Sequence, residues 1–344
     1  MSTNRTNPAI TACSQGFYTN YTPWRARTTK IVSMAMGSAD LRRGEPFELA
    51  ATGPGDRIGS RLGLTVPHEW WPSPPLIKSF EAAGFGLVQV DAPPIAVLSD
   101  ARLCTMHATA VRTSLETTGL ASVLHAPSGL RAGSAAGDRG FAGLLDCAAE
   151  LGARFVVYHA LSLPNAGSSE AALKAELRAL KAFARYAASV GTTIAIENLA
   201  PYFPGPETVS ASPMALRSLV RKLGSEGLGL CLDIGHAYIT ADLRQTDLRR
   251  LVEPVLDQVV LFHAHDNLGG RRRGGAELLG VDPLRLDLHL PPGRGNLPWA
   301  QVADLLRGHS APIVYEIHPP YRPKAGEIFD AASRSLSPNG RPDN

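Results

Sequence analysis

From about residue 60 onward, short apolar runs alternate with longer amphipathic stretches. The runs read RLGLTVP (61–67), FGLVQVDAP (85–93), LASVLHA (120–126), RFVVYHA (154–160), TTIAIEN (192–198), LGLCLDIG (228–235), QVVLFHAHD (258–266) and PIVYEIH (312–318). Runs this short and this apolar predict strands of a parallel sheet covered by helices. Seven of them are followed by a stretch that can hold a helix. The clearest is SEAALKAELRALKAFARYAASVG (169–191). Its Ala and Leu content favours helix, its apolar positions recur at three- and four-residue spacing, and Gly191 supplies a left-handed stop.

Eight strands with intervening helices over about 260 residues predict a single (β/α)8 TIM barrel in the α/β class. The rival is a doubly wound open sheet, which gathers its ligand site at one switch point. The polar residues that end the runs decide between them. They are VLHAP (His125), VVYHA (His159), IAIEN (Glu197), CLDIGHA (Asp233, His236), LFHAHD (His263), DLH (Asp287, His289) and VYEIH (Glu316). Strands three to eight all end this way. An open sheet would spread those ends over strand spacings of about 4.8 Å, whereas a barrel draws them into one ring. The barrel is predicted over residues 59–335. Residues 1–58, rich in Thr, Ser, Asn, Arg and Gly, are expected to form a poorly ordered extension, and 336–344 a flexible tail.

Composition narrows the class. A chain 44% hydrophobic and 19% charged is that of a globular protein. No apolar stretch reaches the roughly 18 residues of a membrane span, and the N-terminus lacks the pattern of a secretory signal. The four cysteines show no CxxC spacing, which argues against a zinc ribbon or a disulfide framework. The expected location is the cytoplasm. A net charge of +3 is too small to call for nucleic acid. Homo-oligomerisation is left open.

His, Asp and Glu gathered at one end of a barrel form a mixed nitrogen and oxygen ligand set, suited to Zn, Mn, Mg or Co. One His or Glu ending a strand is usually a satisfied polar residue. Six consecutive strands ending so point to a metal site centred on Glu197, Asp233, His263 and Glu316. His265, two residues beyond His263 and on the same strand face, is an alternative ligand to it. Nine candidates are too many for one tetrahedral ion and enough for two or three, so one to three ions are expected.

The segments IENLAP, CLDIGHA, FHAHDN, DLHLPPGRGNLPW and YEIHP carry a resemblance. The LDxGH and HxxD…DxH…PGxG elements are its specific part; IEN alone is weak. From about residue 60 to 320 the chain resembles the xylose isomerase-like TIM-barrel superfamily, which includes endonuclease IV and many sugar phosphate isomerases and epimerases. The epimerase pattern implies one metal held by Glu197, Asp233, His263 and Glu316. The two glutamates would then act as the acid–base pair, with His236 nearby as a third catalytic candidate. The endonuclease pattern implies a multinuclear zinc cluster that adds His125, His159, His236, Asp287 and His289, with Glu197 bridging. The endonuclease has a tyrosine and a bulky apolar residue after its first ligand, where this chain reads HAPSGL with Ser128 and Gly129. A small substrate is therefore favoured over DNA.

These resemblances imply a metal-dependent sugar or sugar-phosphate isomerase or epimerase first. A zinc phosphoesterase acting on a small phosphate ester or phosphodiester comes second, and a non-catalytic binding barrel third. In the first the metal polarises a carbonyl while two glutamates move a proton. In the second several ions activate water and clamp phosphoryl oxygens. Substrate-binding candidates are Arg271, Arg272 and Arg273, whose guanidinium groups suit phosphate, together with His68, Trp70 and His318. Gly293 and Gly295 suggest a tight turn, and Asn198 and Asp266 candidate partners of the ligands.

Overall fold

The eight apolar runs form eight strands, and a helix follows every one of them rather than seven. The computed structural model describes residues 60–68, 70–160, 170–201, 208–271 and 286–337. In chain order the strands are β1 Leu62–Thr65, β2 Leu87–Asp91, β3 Ala121–His125, β4 Phe155–Tyr158, β5 Thr193–Glu197, β6 Leu228–Asp233, β7 Val259–Ala264 and β8 Ile313–Tyr315. The helices are α1 Pro74–Ala83, α2 Ile95–Leu98, α3 Ala101–Leu115, α4 Ala135–Leu151, α5 Glu170–Ser189, α6 Pro213–Leu223, α7 Ile234–Leu243, α8 Leu248–Val252, α9 Trp299–Leu306 and α10 Ala325–Ser335. Each strand pairs in parallel with the next, and β1 pairs with β8, so the barrel closes. The proposed N-terminal extension, 1–58, lies outside the described residues.

Local chemistry fixes the element ends. The Asp100 carboxylate accepts from the Leu103 N–H at 3.0 Å and the Ser134 hydroxyl from Gly137 N–H at 3.1 Å. These caps start α3 and α4, each worth about 1 kcal/mol. Gly191, at φ 77°, turns the chain after α5. Among the described residues no helix is long and apolar enough to cross a membrane.

The period of two along each strand splits the core in two. One set of side chains, including Leu64, Val88, Leu124, Val156, Ile196, Leu232 and Phe262, packs outward against the helices. The other set, Leu87, Val123, Phe155, Val157, Ala195, Cys231, Leu261 and Val314, fills the barrel lumen. Full burial of an aliphatic side chain is worth roughly 1.5–3 kcal/mol. The lumen is therefore a packed floor, not a pore.

Candidate metal centre

That floor places the polar ring. Two residues beyond Val123, Val157, Ala195, Cys231, Leu261 and Val314 stand His125, His159, Glu197, Asp233, His263 and Glu316. Residues two apart share a strand face, so each side chain emerges above the floor at the C-terminal end of the barrel. The same step from Leu87 reaches Gln89, which is fully buried. Gln89 lies outside the ligand pattern legible in the sequence. Its signal was a lone amide inside the apolar run GLVQV, where a buried polar side chain needs partners.

Glu197, Asp233, His263 and Glu316 form one group whose ligand atoms all lie within 4.8 Å of one another. His263 Nδ1 is 2.9 Å from Glu197 Oε1 and 3.5 Å from Glu316 Oε1. Its other nitrogen, Nε2, lies 2.8 Å from Gln89 Oε1. Gln89 in turn donates through Nε2 to Glu316 Oε1 at 2.5 Å. A carboxylate only accepts, so Glu316 orients the amide, and the amide oxygen takes the proton of His263 Nε2. Nδ1 then faces the carboxylates: in the charged ring its proton is held against Glu197, and in the neutral ring its lone pair is free for an ion, the tautomer that a ligand histidine needs.

Asp233 has two duties. Its Oδ1 accepts from the His236 N–H at 2.7 Å and caps α7, while Asn198 holds its backbone through Asp233 N–Oδ1 and Nδ2–O bonds of 2.8 and 2.9 Å. Its Oδ2 is buried with no hydrogen-bond partner. Burying a charge costs several kcal/mol; His236 Nδ1, 3.6 Å from this oxygen, offsets part of it, and a cation would add to that compensation. This orphaned oxygen and the Nδ1 tautomer of His263 fit the group to a divalent ion.

Two more groups adjoin it. His125 and His159 meet Glu197 Oε2 at 3.4 and 2.9 Å. His236, His265, Asp287 and His289 form a second four-residue group, again within 4.8 Å. His263 and His265 are therefore not alternatives: each joins a different group. Cys231, in the floor beside Glu197 and His263, has its thiol pushed far up by burial and by Glu197.

Electrostatics bind acids to imidazoles throughout. Burial opposes ionisation of Glu197, but His263 and His159 override it and hold the carboxyl well below its ordinary range. Burial likewise opposes the charge on Asp233, which His236 and His265 nevertheless pull down to about 2. Desolvation opposes the charge on Asp287 as well, but His289 and His236 on either side hold it well below its usual value. On the other side, burial disfavours the charged imidazoles, yet Glu197 lifts His125 to about 10 and Asp287 lifts His289 to about 9.

The other predicted residues fall elsewhere. Arg271 turns to α7, its Nη2 bonding Asp242 Oδ1 at 3.1 Å and its backbone N–H bonding Asp242 Oδ2 at 2.5 Å. Arg272 and Arg273 lie outside the described residues. His68 is exposed and pairs with Asp91 at 2.7 Å, and Trp70 is half exposed. The His318 backbone N–H donates to His289 O at 3.0 Å. Asp266 meets the groups through its backbone oxygen, 3.3 Å from His265 Nδ1, and its carboxylate turns elsewhere. It accepts from Asn267, Leu297 and Gly293 N–H and Trp299 Nε1, all at 2.9–3.0 Å, and so clamps the turn PPGRGNLPW. Within that turn Gly293 sits at φ 81° and a side chain at Gly295 would strike Asp266.

Known proteins share the architecture. A D-tagatose 3-epimerase-like protein superposes with a TM-score of 0.62 at 22% identity, over 80% of this chain and 97% of that one. The 3-keto-D-glucoside 4-epimerase YcjR of E. coli gives 0.58 at 16%, over 80% and 98%. The D-allulose 3-epimerase of Methylomonas sp. gives 0.56 at 15%, over 80% and 94%. At such identities the likeness is one of fold. Among curated proteins, the uncharacterised MJ1311 of Methanocaldococcus jannaschii is 27% identical over 165 residues, 47% of this chain. The match spans half the length of that relative. The family described as xylose isomerase-like TIM barrel matches residues 77–337, well over half of the sequence, and the chain belongs to that family.

Proposed function

We propose that this protein is a divalent-metal-dependent isomerase or epimerase of a small sugar or sugar phosphate. The observation that carries the reading is the group of Glu197, Asp233, His263 and Glu316, in which two glutamates of unequal exposure share one histidine. The Glu197 side chain is 1% exposed and that of Glu316 14%. The sugar epimerases whose folds superpose on this one support the substrate class.

Glu197, Asp233, His263 and Glu316 would hold the ion, with Zn, Mn, Mg or Co all suited to the set. When bound, the ion supplies Lewis-acid polarisation of a carbonyl and its neighbouring hydroxyl. The chain's own residues do the proton work. Glu197 Oε1, kept ionised by His263 and His159, is a base for a proton on carbon. Glu316, the more exposed of the two and bonded by Gln89, approaches the same Nδ1 of the shared histidine at 3.5 Å and would return a proton. The packed floor of Val123, Val157, Ala195, Cys231 and Leu261 closes the site from below and keeps water from that side.

The test is exchange. Ketoses and aldoses are incubated with the protein and Mn²⁺ or Co²⁺ in D₂O and followed by NMR. Deuterium enters beside the carbonyl, and Glu197→Gln and Glu316→Gln each abolish the incorporation. No exchange with any sugar or sugar phosphate tested removes the isomerase reading.

One observation favours a second reading. The adjoining groups extend the ligand series to the size of a multinuclear cluster, which suits hydrolysis of a small phosphate ester or phosphodiester. Zinc-dependent hydrolysis of p-nitrophenyl phosphate or bis-p-nitrophenyl phosphate, without deuterium incorporation into sugars, establishes that alternative.

A further inference from the structure

We infer a second binding site, in the cleft between α7, α8 and α9, that takes a neutral polyhydroxylated molecule, a monosaccharide or polyol, through Gln245, Asp247 and Gln301. The inference is independent of the reaction proposed above and of any metal.

The cleft holds about 430 Å³ between the last turns of α7, the turn that joins α7 to α8, Arg271 and the start of α9. That volume lies within the range of about 300–1,000 Å³ common to small-molecule sites. None of the ligand-ring residues lines it. Its form begins with how α7 ends. The Gln245 N–H donates to Asp242 O at 3.2 Å and the Thr246 N–H to Ala241 O at 2.9 Å, the pair of bonds that closes a helix through a left-handed residue. In α1, α4 and α6 the left-handed place belongs to Gly84, Gly152 and Gly224. In α7 it belongs to Gln245, at φ 53°, a conformation that a side chain disfavours. Capping alone calls for glycine. What the glutamine adds is a side-chain amide on the cleft wall, and strain of this kind concentrates at ligand clamps.

The wall is polar without a dominant charge. Arg271 is held by Asp242, Nη2 to Oδ1 at 3.1 Å. Asp247 Oδ1 accepts from the Arg249 N–H and from Gln301 Nε2, both at 2.8 Å, so an acid on one side of the cleft is tied to an amide on α9. Those bonds leave Asp247 Oδ2 and Gln301 Oε1 as acceptors. The Gln245 amide makes no side-chain hydrogen bond among the described residues and offers a donor and an acceptor together. A hydroxyl also donates and accepts at once, so a molecule carrying several of them matches this mixed set. A phosphate, all acceptors, would instead meet the carboxylates of Asp242 and Asp247. Leu248 and Pro298 line the same cleft and suit the C–H face of a sugar or polyol.

The experiment uses the full chain stripped of metal, so that no ion orients a sugar at the barrel mouth. D-Fructose, D-glucose, D-sorbitol and myo-inositol are tested by saturation-transfer difference NMR and calorimetric titration, and at least one should bind. Gln245→Gly should weaken that binding by about tenfold, the scale of hydrogen bonds lost without replacement. The same change should raise the thermal midpoint, because glycine relieves the left-handed position. Stability gained while binding is lost is a result that a purely structural Gln245 cannot give. Gln301→Leu should weaken binding alike, and Glu316→Gln, at the barrel mouth, should leave it unchanged. Binding that survives both Gln245→Gly and Gln301→Leu, or that falls with Glu316→Gln, places the sugar elsewhere and overturns the inference. So does failure of all four compounds to bind, or binding of inorganic phosphate in their place. The isomerase reading stands or falls separately, on deuterium exchange in the metal-loaded protein.

Discussion

The two four-residue groups at the top of the barrel differ in what holds them. In the first, Glu197, Asp233 and His263 lie within strands and Glu316 directly follows β8, so the parallel ladder fixes their spacing. In the second, His236 stands in the first turn of α7, His265 one residue past β7, and Asp287 and His289 in the connection to α9. His289 adopts φ 50°, uncommon for a residue with a side chain, and is held there by its bonds to Glu316 O and from His318 N–H. A ladder-held group keeps its shape without an ion. A group assembled from a helix turn and a connection is where an ion would add most rigidity.

The largest expected effect separates the groups outright. Glu197→Gln removes the proposed base and a ligand of the first group, so turnover should fall by about 10²–10⁴-fold or more, with one class of bound metal gone. The second class should remain. If zinc analysis shows both classes lost together, the two groups are one cluster and the comparison fails.

Gln89→Leu should act next most strongly, again on the first group alone. It removes the acceptor that fixes the His263 tautomer and the donor to Glu316. Metal affinity of the first group should drop by about 10–100-fold, the scale of an outer partner, as read by chelator competition. Gln89→Glu sharpens the case, because it places a second carboxylate against Glu316. A Gln89→Leu protein with wild-type metal affinity shows that the floor alone orients His263.

The contrast between the groups also explains what the sequence disclosed. Every strand of the barrel was legible, because each apolar run is short, and in β3 to β8 the ring residue that ends the run sits two positions past a floor residue. His125, His159, Glu197, Asp233, His263 and Glu316 share that register, so pattern alone aligned them. His265 was legible only as a rival to His263, since period two gives both the same face; which group each joins depends on where β7 stops. Gln89 was missed because a glutamine in an apolar run carries no metal-ligand signature. Arg271 followed the logic of charge near a strand end, but its nearest acid, Asp242 on α7, is a matter of tertiary packing that no local pattern encodes.

Gly235→Ala should reverse the selectivity of Gln89→Leu. The added methyl overlaps the His265 ring, so that ring must move, and the second class of metal should weaken by about tenfold or more while the first is kept. Equal weakening of both classes would show that the ring displacement spreads through the barrel top.

Stability against pH tests the ion's role at histidines beside the first group and within the second. In metal-free protein His125 and His289 have raised values, about 10 and about 9. Their contribution is fully present below the unfolded value near 6.5 and is lost as pH rises through 9 to 10. Asp233, lowered to about 2, contributes above about 4 and fails only as pH falls through 2. The thermal midpoint of the metal-free protein should therefore decline from pH 7 to pH 10. Zinc displaces protons from the same imidazoles, so the increment in midpoint on adding zinc should grow over that interval. An increment that shrinks with pH contradicts metal binding at these histidines.

The smallest effect is expected at Arg271, outside both groups. Its guanidinium is engaged by Asp242, in a pair whose side chains are 32% and 18% exposed. Such a partly exposed pair is worth about 0–1 kcal/mol, so Arg271→Ala should lower stability by no more than that. It should also leave the metal content of both groups unchanged and the KM for a neutral sugar within about twofold, a difference under 1 kcal/mol. A sugar phosphate is the informative substrate. If KM for the phosphorylated sugar rises tenfold while that for the neutral sugar holds, Arg271 leaves Asp242 for the phosphate when substrate arrives. The connection after β7 then serves substrate as well as the second group, and the division between a group held by strands and one held by a helix turn and a connection has to be redrawn.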